Sequence, residues 1–312
     1  QVRPKVEGMR IVSQVEFVDD AGNMWVQLDG LEHRRIHMPL LFYRFRGSRE
    51  VFLSTAWSPK QITSAMGEGL SLAFLDAINW EFWSINGGIW ANVLALIILC
   101  PKERSIWHAM AMNERRTIQW LLGRLIAKEA VRRLSKKKYD RDLWPADICV
   151  DVEPSGRPVL TEWPWSEVPA PLISISHSGT HPVAVAADSA EWRAVGVDVE
   201  QIETKSLKGE DLMFSKQELA LVDSWCQAGI EEREVVLRCW CAKEAVGKML
   251  GIGLSRGPRA MQVTKVDPVS GRIWVNVLQN SSGGTGAGNG ETYIAQTVLE
   301  NQLVAAVAAL KS

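Results

Sequence analysis

A short stretch at positions 196–200, Gly-Val-Asp-Val-Glu, carries two acidic side chains with the spacing of a β-strand. Valines alternate with polar residues here, and alternate side chains of an extended chain point to opposite faces. Asp198 and Glu200 therefore lie side by side on one face. Two adjacent carboxylates repel, which raises the pKa of one of them unless a cation or a donor neutralises the pair. A solvated strand end would show the same pattern, so the pair alone does not predict a metal site.

A second stretch at positions 240–248, Trp-Cys-Ala-Lys-Glu-Ala-Val-Gly-Lys, adds an acid and a base at helical spacing. Glu244 and Lys248 are four residues apart, so both project from one side of a helix. On an ordinary surface they would form an ion pair worth about 0.2–0.5 kcal/mol. Together with Asp198 and Glu200, Glu244 would complete three carboxylates able to hold one hard cation such as Mg²⁺, and Lys248 could hold an anion beside it.

Two helices must position these groups and their surroundings. Apolar residues recur at helical spacing through residues 231–250, which predicts the helix that carries the second stretch. Another amphipathic helix is predicted over residues 114–134, with a basic polar side that includes Arg115, Arg124 and Lys128. That side could be solvated or could bind phosphate. Nucleic-acid binding has little support, because no aromatic interleaving or binding motif accompanies the charge.

An apolar strand that runs into a polar turn, Ser-Ile-Ser-His-Ser-Gly at positions 174–179, offers a third polar group. The Ser176 hydroxyl, the His177 ring and the backbone N–H groups of the turn can all donate to an anion. A metal site built from His177 and His181 is the alternative. It would need a helix to bring both rings to one face, and the glycine and proline nearby make a helix unfavourable.

The two acidic stretches together resemble the signature motifs of the 4′-phosphopantetheinyl transferases, of the larger, monomeric, surfactin-synthetase-activating type. Residues 196–200 match the family's Gly-(Ile/Val)-Asp-(Ile/Val)-Glu. Residues 240–248 match Trp-(Ser/Cys)-x-Lys-Glu-(Ala/Ser)-x-x-Lys at every defined position. The resemblance covers roughly residues 110–312. It implies a transferase domain at the C-terminal end of a polyketide synthase.

The fold that this resemblance implies is α+β, with two similar subdomains, residues 110–193 and 194–312, related by a pseudo-twofold axis. Each would be an antiparallel sheet packed by a long helix, and the site would lie at the seam. Ahead of them we expect a β-rich segment over residues 1–59 and a helical linker over residues 60–109, whose tryptophans pack against neighbouring elements.

The first 57 residues loosely resemble the closing strands of a polyketide synthase dehydratase domain, a hot-dog fold. No dehydratase His/Asp pair is identifiable among them, so we assign them no chemistry. The chain starts with Gln1 and not with Met, and we expect it to be a piece of a longer polypeptide.

Three further motifs carry the implied site residues. The family's helix pattern, Arg…Gly-Arg…(Arg/Lys), begins at Arg115, and Gly-Arg-Pro at positions 156–158 stands where the family has Gly-Lys-Pro. Residues 174–179 resemble the family's (Asn/Ser)-x-Ser-His-Ser-Gly. Some relatives have another arginine five residues before the Gly-Lys-Pro cation, where this chain has Val152, so phosphate recognition must differ in part.

The resemblance then implies these roles. The coenzyme A-binding residues would be Arg115, Arg157, Ser176, His177 and Lys248. The Mg²⁺ ligands would be Asp198, Glu200 and Glu244. The catalytic residues would be Glu244, Lys248 and His177.

The implied reaction moves the 4′-phosphopantetheine arm of coenzyme A to a serine of an apo acyl or peptidyl carrier protein and releases 3′,5′-ADP. Glu244 is the candidate base, and Lys248 and the metal would offset charge on the phosphate. Two alternatives use the same residues differently: a coenzyme A pyrophosphate hydrolase, and a non-catalytic module of a megasynthase that docks carrier proteins.

A further helix is predicted to start at Ser215, because Ser215 and Glu218 have the spacing of a capping box. The family has a similar Phe-(Ser/Thr)-x-x-Glu close to where the carrier docks. The resemblance therefore implies that Phe214 and the preceding loop, residues 201–213, face the carrier.

Composition limits the class of protein. With 312 residues, 46% hydrophobic and 23% charged, the chain can bury a sizeable core, and its net charge of −1 offers nucleic acid no general attraction. The longest apolar run, residues 87–100, is too short to span a bilayer. Five cysteines without C-x-x-C spacing predict reduced thiols in a cytoplasmic protein. We expect its partners to be coenzyme A and a carrier protein, and neither nucleic acid nor a membrane.

Overall fold

The computed structural model describes residues 2–7, 10–34, 39–75, 80–110, 115–202, 213–227, 229–253, 257–278 and 290–312. The chain forms two compact units, Gln1–Ser48 and Arg49–Ser312. Every residue predicted to carry chemistry lies in the second unit. Helices combined with antiparallel sheets confirm the α+β fold class.

The first unit is a three-stranded antiparallel sheet followed by a short helix. Its elements are β1 (Val2–Glu7), β2 (Arg10–Val18), β3 (Met24–Arg34) and α1 (Leu40–Gly47). Asp19 shapes the turn between β2 and β3, since its Oδ1 accepts hydrogen bonds from Ala21 N at 3.0 Å and Asn23 N at 2.8 Å. The strands predicted for this segment are therefore present, and α1 is an element that the β-rich prediction did not include.

A four-stranded antiparallel sheet covered by one long helix forms the first half of the second unit. In spatial order its strands are β4 (Thr55–Trp57), β5 (Leu70–Phe74), β9 (His181–Ala187) and β8 (Leu172–Ser178). The chain adds α2 (Lys60–Met66), α3 (Trp80–Ile98), α4 (Pro101–Ala109) and α5 (Arg115–Tyr139), then a hairpin of β6 (Cys149–Val152) and β7 (Pro158–Glu162). Ile126 and Ala130 of α5 pack with Ala184 and Ala186 of β9, so α5 covers this sheet.

A five-stranded antiparallel sheet with its own long helix forms the second half. In spatial order its strands are β10 (Trp192–Gln201), β14 (Leu303–Lys311), β13 (Glu291–Glu300), β12 (Arg272–Val277) and β11 (Met261–Asp267). The helices between β10 and β11 are α6 (Lys216–Cys226) and α7 (Glu232–Leu250). Val236 and Ala245 of α7 pack with Ala306 and Ala308 of β14, so the helix predicted over residues 231–250 covers the sheet.

The two sheets stack on each other through their remaining faces. Val183 and Val185 of β9 share one core with Val197 and Val199 of β10. The layers therefore run helix, sheet, sheet, helix. This agrees with the prediction of two sheets, each packed by a long helix, although one sheet has four strands and the other has five.

The helical prediction for residues 60–109 is wrong at Leu70–Phe74, which forms β5. Leu72 pairs with Val185 of β9, and Leu70 and Leu72 are both buried in the core between the sheets. Short apolar runs do not distinguish a strand from a helix by periodicity, and here pairing with β9 decides the outcome. The tryptophans behave as predicted where they are described, since Trp90 and Trp107 are buried.

The basic side of α5 is largely enclosed, so the solvated-face interpretation is wrong for its middle turns. Lys128 donates to Ile98 O at 2.6 Å and forms an ion pair with Glu103, and Arg124 Nε lies 3.5 Å from the same carboxylate. Burial lowers the pKa of Lys128 to about 8, against the attraction of Glu103. The end of α3 and α4 supply these partners, which periodicity within α5 could not reveal.

One pair of cysteines departs from the predicted reduced state. Cys100 and Cys149 form a disulfide with their Cα atoms 5.6 Å apart, which links the start of α4 to β6. The two residues are separated by 49 positions, so no short spacing motif marks them. The other three cysteines are free thiols. Within the described parts of the chain, no helix is long and apolar enough to cross a membrane.

Phe214 belongs to the core, so its predicted place at a carrier-facing surface is wrong. It is 1% exposed, and the Lys243 ammonium lies 4.5 Å from its ring centre. Lys243 also pairs with Glu218 at 2.6 Å, and Glu218 accepts from Ser215 N at 2.8 Å. The predicted capping box is therefore confirmed, and Phe214 anchors the start of α6. Residues 203–212 of the suggested docking loop lie outside the described residues.

Candidate active site

Close contact between β10 and α7 brings the two acidic stretches together. A Cβ atom at Gly196 would overlap the Ala245 carbonyl oxygen and would lie 2.5 Å from Met249 N. Only glycine leaves room for the strand and the helix backbone to meet in this way. The acidic residues that follow on the same face of β10 therefore point towards α7.

Lys248, Asp198 and Ser176 meet at one point, although they come from α7, β10 and β8. The Lys248 ammonium lies 2.7 Å from Asp198 Oδ1 and donates to Ser176 Oγ at 2.9 Å. The Ser176 hydroxyl in turn donates to the same Asp198 oxygen at 2.8 Å. Asp198 and Ser176 are both about 5% exposed or less, so water screens this contact weakly.

Glu200 accepts a hydrogen bond from β8. The Ser178 hydroxyl donates to Glu200 Oε2 at 2.7 Å. Burial raises the pKa of Glu200, and the charge of Asp198 adds to this effect. The hydrogen bond from Ser178 and the charge of Lys248 act in the opposite direction because they stabilise the ionised form.

Glu244 is partly buried among the other acids. Burial raises the pKa of its carboxyl group, the negative charges of Asp198 and Glu200 raise it further, and Lys248 opposes them. A carboxylate with a raised pKa is better suited to accept a proton near neutral pH than a fully solvated one. The charges of both acids of β10 thus act on Glu244.

The donor chemistry of these acids fits Mg²⁺, which prefers oxygen ligands. Asp198 Oδ2 is buried and has no hydrogen-bond partner of ordinary geometry among the described residues. The Cys241 thiol lies near this carboxylate, but sulfur is a weak donor and the thiol is directed at Val304 O, 3.7 Å away. A buried oxygen without a donor, beside two carboxylates with raised pKa values, is a place where a cation would be stabilised.

The three acids are not drawn tightly around a common centre. Their oxygens do not all lie within 4.8 Å of one another. Among the described residues, the group of potential metal ligands that meets this spacing is Cys100, Glu103 and Cys149. That group is already committed, because the cysteines are bonded to each other and Glu103 is paired with Lys128.

A cavity of about 470 Å³ opens beside His177, between α5, the β6–β7 turn and the end of β8. Arg116, Trp120 and Arg124 line it from α5, and the Arg124 guanidinium lies 4.7 Å from the Trp120 ring centre. Burial and the Lys248 charge lower the pKa of His177, so its ring is neutral near pH 7. Guanidinium groups lining a cavity suit a ligand that carries phosphates.

Arg157 lines a second cavity of about 180 Å³ together with Lys248. Its guanidinium donates to Met249 O at 3.4 Å, near the C-terminal end of α7 where a cation is favoured. The Gly-Arg-Pro turn thus brings its cation close to the candidate site. Arg115 is exposed at the start of α5, and its neighbour Arg116 lines the larger cavity. A role for Arg115 in binding stays a prediction.

Trp120 and Ser178 were not singled out from the sequence, yet two patterns could have revealed them. Trp120 lies four residues from both Arg116 and Arg124, the spacing that places side chains along one side of a helix, and both arginines belong to the predicted basic side. Ser178 continues the two-residue period of Ser174 and Ser176, which in a strand places all three hydroxyls on one face.

The raised pKa of Glu244 makes a prediction about stability and pH. Because the folded protein holds this proton more tightly than the unfolded chain does, ionisation of Glu244 lowers the stability of the fold as pH rises above the usual range of a glutamate. A glutamine at this position does not ionise. In the presence of a chelator, Glu244→Gln should therefore gain stability relative to the unmodified protein between about pH 4.5 and pH 8. Urea unfolding at both pH values measures this, and a constant difference would contradict it.

A sequence comparison relates part of this chain to one family. Residues 194–298 match the family model described as the 4′-phosphopantetheinyl transferase superfamily. The match takes in β10, α7 and thus both acidic stretches, but less than half of the chain. No curated protein matches the sequence. Among solved structures, a holo-ACP-synthase from Plasmodium yoelii is similar at 16% identity over 38% of this chain and 91% of that one, with a TM-score of 0.29.

Proposed function

We propose that this protein transfers the 4′-phosphopantetheine arm of coenzyme A to a serine of an apo carrier protein, in a Mg²⁺-dependent reaction that releases 3′,5′-ADP. The observation that carries the proposal is the contact of Lys248 with Asp198 at 2.7 Å, which joins the two acidic stretches at one point. The match of residues 194–298 to the transferase superfamily supports the same reaction class.

Coenzyme A would lie along β8 with its phosphates between the two halves of the unit. The nucleotide end suits the cavity beside His177, where Arg116 and Arg124 offer positive charge. The pyrophosphate would then reach Ser176 and Lys248, with Arg157 near the far side of Lys248. His177 is neutral near pH 7, so it would donate one N–H to a phosphate oxygen without adding a full charge.

Asp198, Glu200 and Glu244 would hold the Mg²⁺ ion, which when bound polarises phosphate oxygens and offsets their charge. Glu244 is also the candidate base for the proton of the carrier serine, directly or through a water. A bound cation stabilises the ionised carboxylate, so the roles of metal ligand and base compete at this residue. The serine oxygen bonds to the β-phosphorus as the bond to the departing 3′,5′-ADP breaks. Lys248 balances the charge that develops on the phosphate.

Three finer points belong to the proposal. The single chain supplies both sheet-and-helix halves of the site, which supports the larger, monomeric type of transferase. The carrier would be an acyl or peptidyl carrier protein, or a carrier domain of the polyketide synthase to which this chain would belong. The reaction would take place in the cytoplasm, where coenzyme A and apo carriers are substrates for it.

The mass of a carrier protein tests the function directly. Incubation with apo carrier, coenzyme A and Mg²⁺ should increase the carrier mass by one phosphopantetheine arm, and the gain should vanish with a chelator. Hydrolysis of coenzyme A without carrier would support the alternative hydrolase. A carrier that binds but never gains mass would support a docking module, and either result would overturn the proposed transfer.

A further inference from the structure

Three serines at alternate positions of β8 reach across to β10. Their hydroxyls contact, in order, the backbone of Val197, the carboxylate of Asp198 and the carboxylate of Glu200. The strands β8 and β10 belong to different sheets, so no ladder of backbone hydrogen bonds joins them. Hydrogen bonds of the serine hydroxyls connect the two strands instead. We call this set, Ser174, Ser176 and Ser178, the serine ladder.

The outer two members of the serine ladder form different hydrogen bonds. Ser174 accepts from Val197 N at 3.1 Å, which is a contact between backbone and hydroxyl alone. Ser178 accepts from Gln201 N at 3.0 Å and donates to Glu200 Oε2 at 2.7 Å. A hydroxyl has one proton to donate, and the bond from Gln201 N fixes the side on which the oxygen accepts. The Ser178 proton is therefore directed at Glu200.

Glu200 is thus oriented by Ser178, whose hydroxyl donates to it from β8. A glutamate side chain has several rotatable bonds, and a carboxylate held by donors loses less freedom when it meets a cation than a mobile one does. Orientation of a ligating carboxylate by such neighbours commonly changes metal affinity by about 10–100-fold.

We propose that Ser178 is a positioning residue, which holds the Glu200 carboxylate towards the acids of the candidate site and thereby raises the affinity of that site for a divalent metal. The proposal rests on the proposed function in one respect, because it takes Glu200 as part of the metal site. Ser178 itself touches neither substrate nor metal. Its contribution passes through the hydrogen bond to Glu200.

Binding of Mn²⁺ to the whole protein without coenzyme A or carrier tests this, with free Mn²⁺ measured by electron paramagnetic resonance. We expect Ser178→Ala to weaken Mn²⁺ binding by about 10-fold. Ser178→Thr keeps the hydroxyl and should bind as the unmodified protein does. Ser174→Ala removes a member of the same ladder that contacts no carboxylate, so it should lower the urea midpoint while leaving Mn²⁺ affinity unchanged.

The outcomes separate this proposal from the function. Unchanged Mn²⁺ binding in Ser178→Ala overturns the positioning role, and so does an equal loss in Ser174→Ala, which would make the serine ladder a purely structural joint. Weakened Mn²⁺ binding in Ser178→Thr would also contradict the proposed role of the Ser178 hydroxyl. Absence of Mn²⁺ binding in the unmodified protein overturns the metal site and this proposal together. Normal Mn²⁺ binding without any carrier mass gain would overturn the transferase function alone.

Discussion

Glu244→Gln should reduce transfer of the phosphopantetheine arm to the carrier by at least about 100-fold, the usual scale for loss of a general base. Glutamine keeps the size of the side chain but cannot take a proton from the carrier serine. The change also removes one of the three carboxylates that would hold the metal. Both effects act on the same step, so the loss should appear mainly in kcat. The mass of the carrier after timed incubation measures it.

The fold of this variant should remain intact, which makes the result easy to interpret. Glu244 is destabilising when ionised, because burial and two neighbouring acids raise its pKa. Glu232→Gln is a suitable control, since Glu232 lies exposed in the first turn of the same helix and should leave activity unchanged. Full activity in Glu244→Gln would remove this residue from the mechanism.

Gly196→Ala should strongly destabilise the second unit. The added methyl group would meet the Ala245 carbonyl oxygen and Met249 N, both of them backbone atoms in the middle and last turns of α7. No side-chain rotation can relieve that overlap, so the helix must move away from β10. Overpacking of this kind costs about 1–3 kcal/mol, and urea unfolding measures the loss. Transfer activity should also be lost under conditions in which the variant is still folded, because Lys248 would move away from Asp198.

Gly123→Ala provides the matched comparison for stability. This glycine lies within α5, and a Cβ atom there would be 3.7 Å from Ile175 Cγ2, an ordinary contact. Alanine is favoured over glycine inside a helix by about 1 kcal/mol, so the variant should be as stable as the unmodified protein or more stable. Equal stability of Gly196→Ala and Gly123→Ala would mean that the contact between β10 and α7 is looser than the structure shows.

The elements nearest the chemistry were the most predictable from the sequence. Alternating valines fixed the faces of β10, and the four-residue steps from Trp240 to Lys248 fixed one side of α7. Both patterns are local, since each depends on the geometry of one element. Lys248 and Asp198 are far apart in sequence, and only the family resemblance predicted that the two stretches would meet.

Errors arose where distant parts of the chain decide the outcome. Phe214 looked like a surface residue at a helix start, but Lys243 and the surrounding core enclose it. Lys128 looked like part of a charged face, yet Glu103 of α4 neutralises it in the interior. The bond between Cys100 and Cys149 likewise joins elements that are far apart in sequence. The pattern of apolar residues within one element cannot predict contacts with elements that are distant in sequence.

The place of β5 in its sheet decides where this protein can be divided. The family resemblance begins near residue 110, but β5 supplies the neighbour of β9 and lies at residues 70–74. A polypeptide cut at the start of the resemblance would leave β9 with an unpaired edge, a known route to self-association of chains. Any shorter version that keeps all four strands of this sheet must retain residues 55–74, so the smallest stable unit is longer than the stretch that carries the motifs.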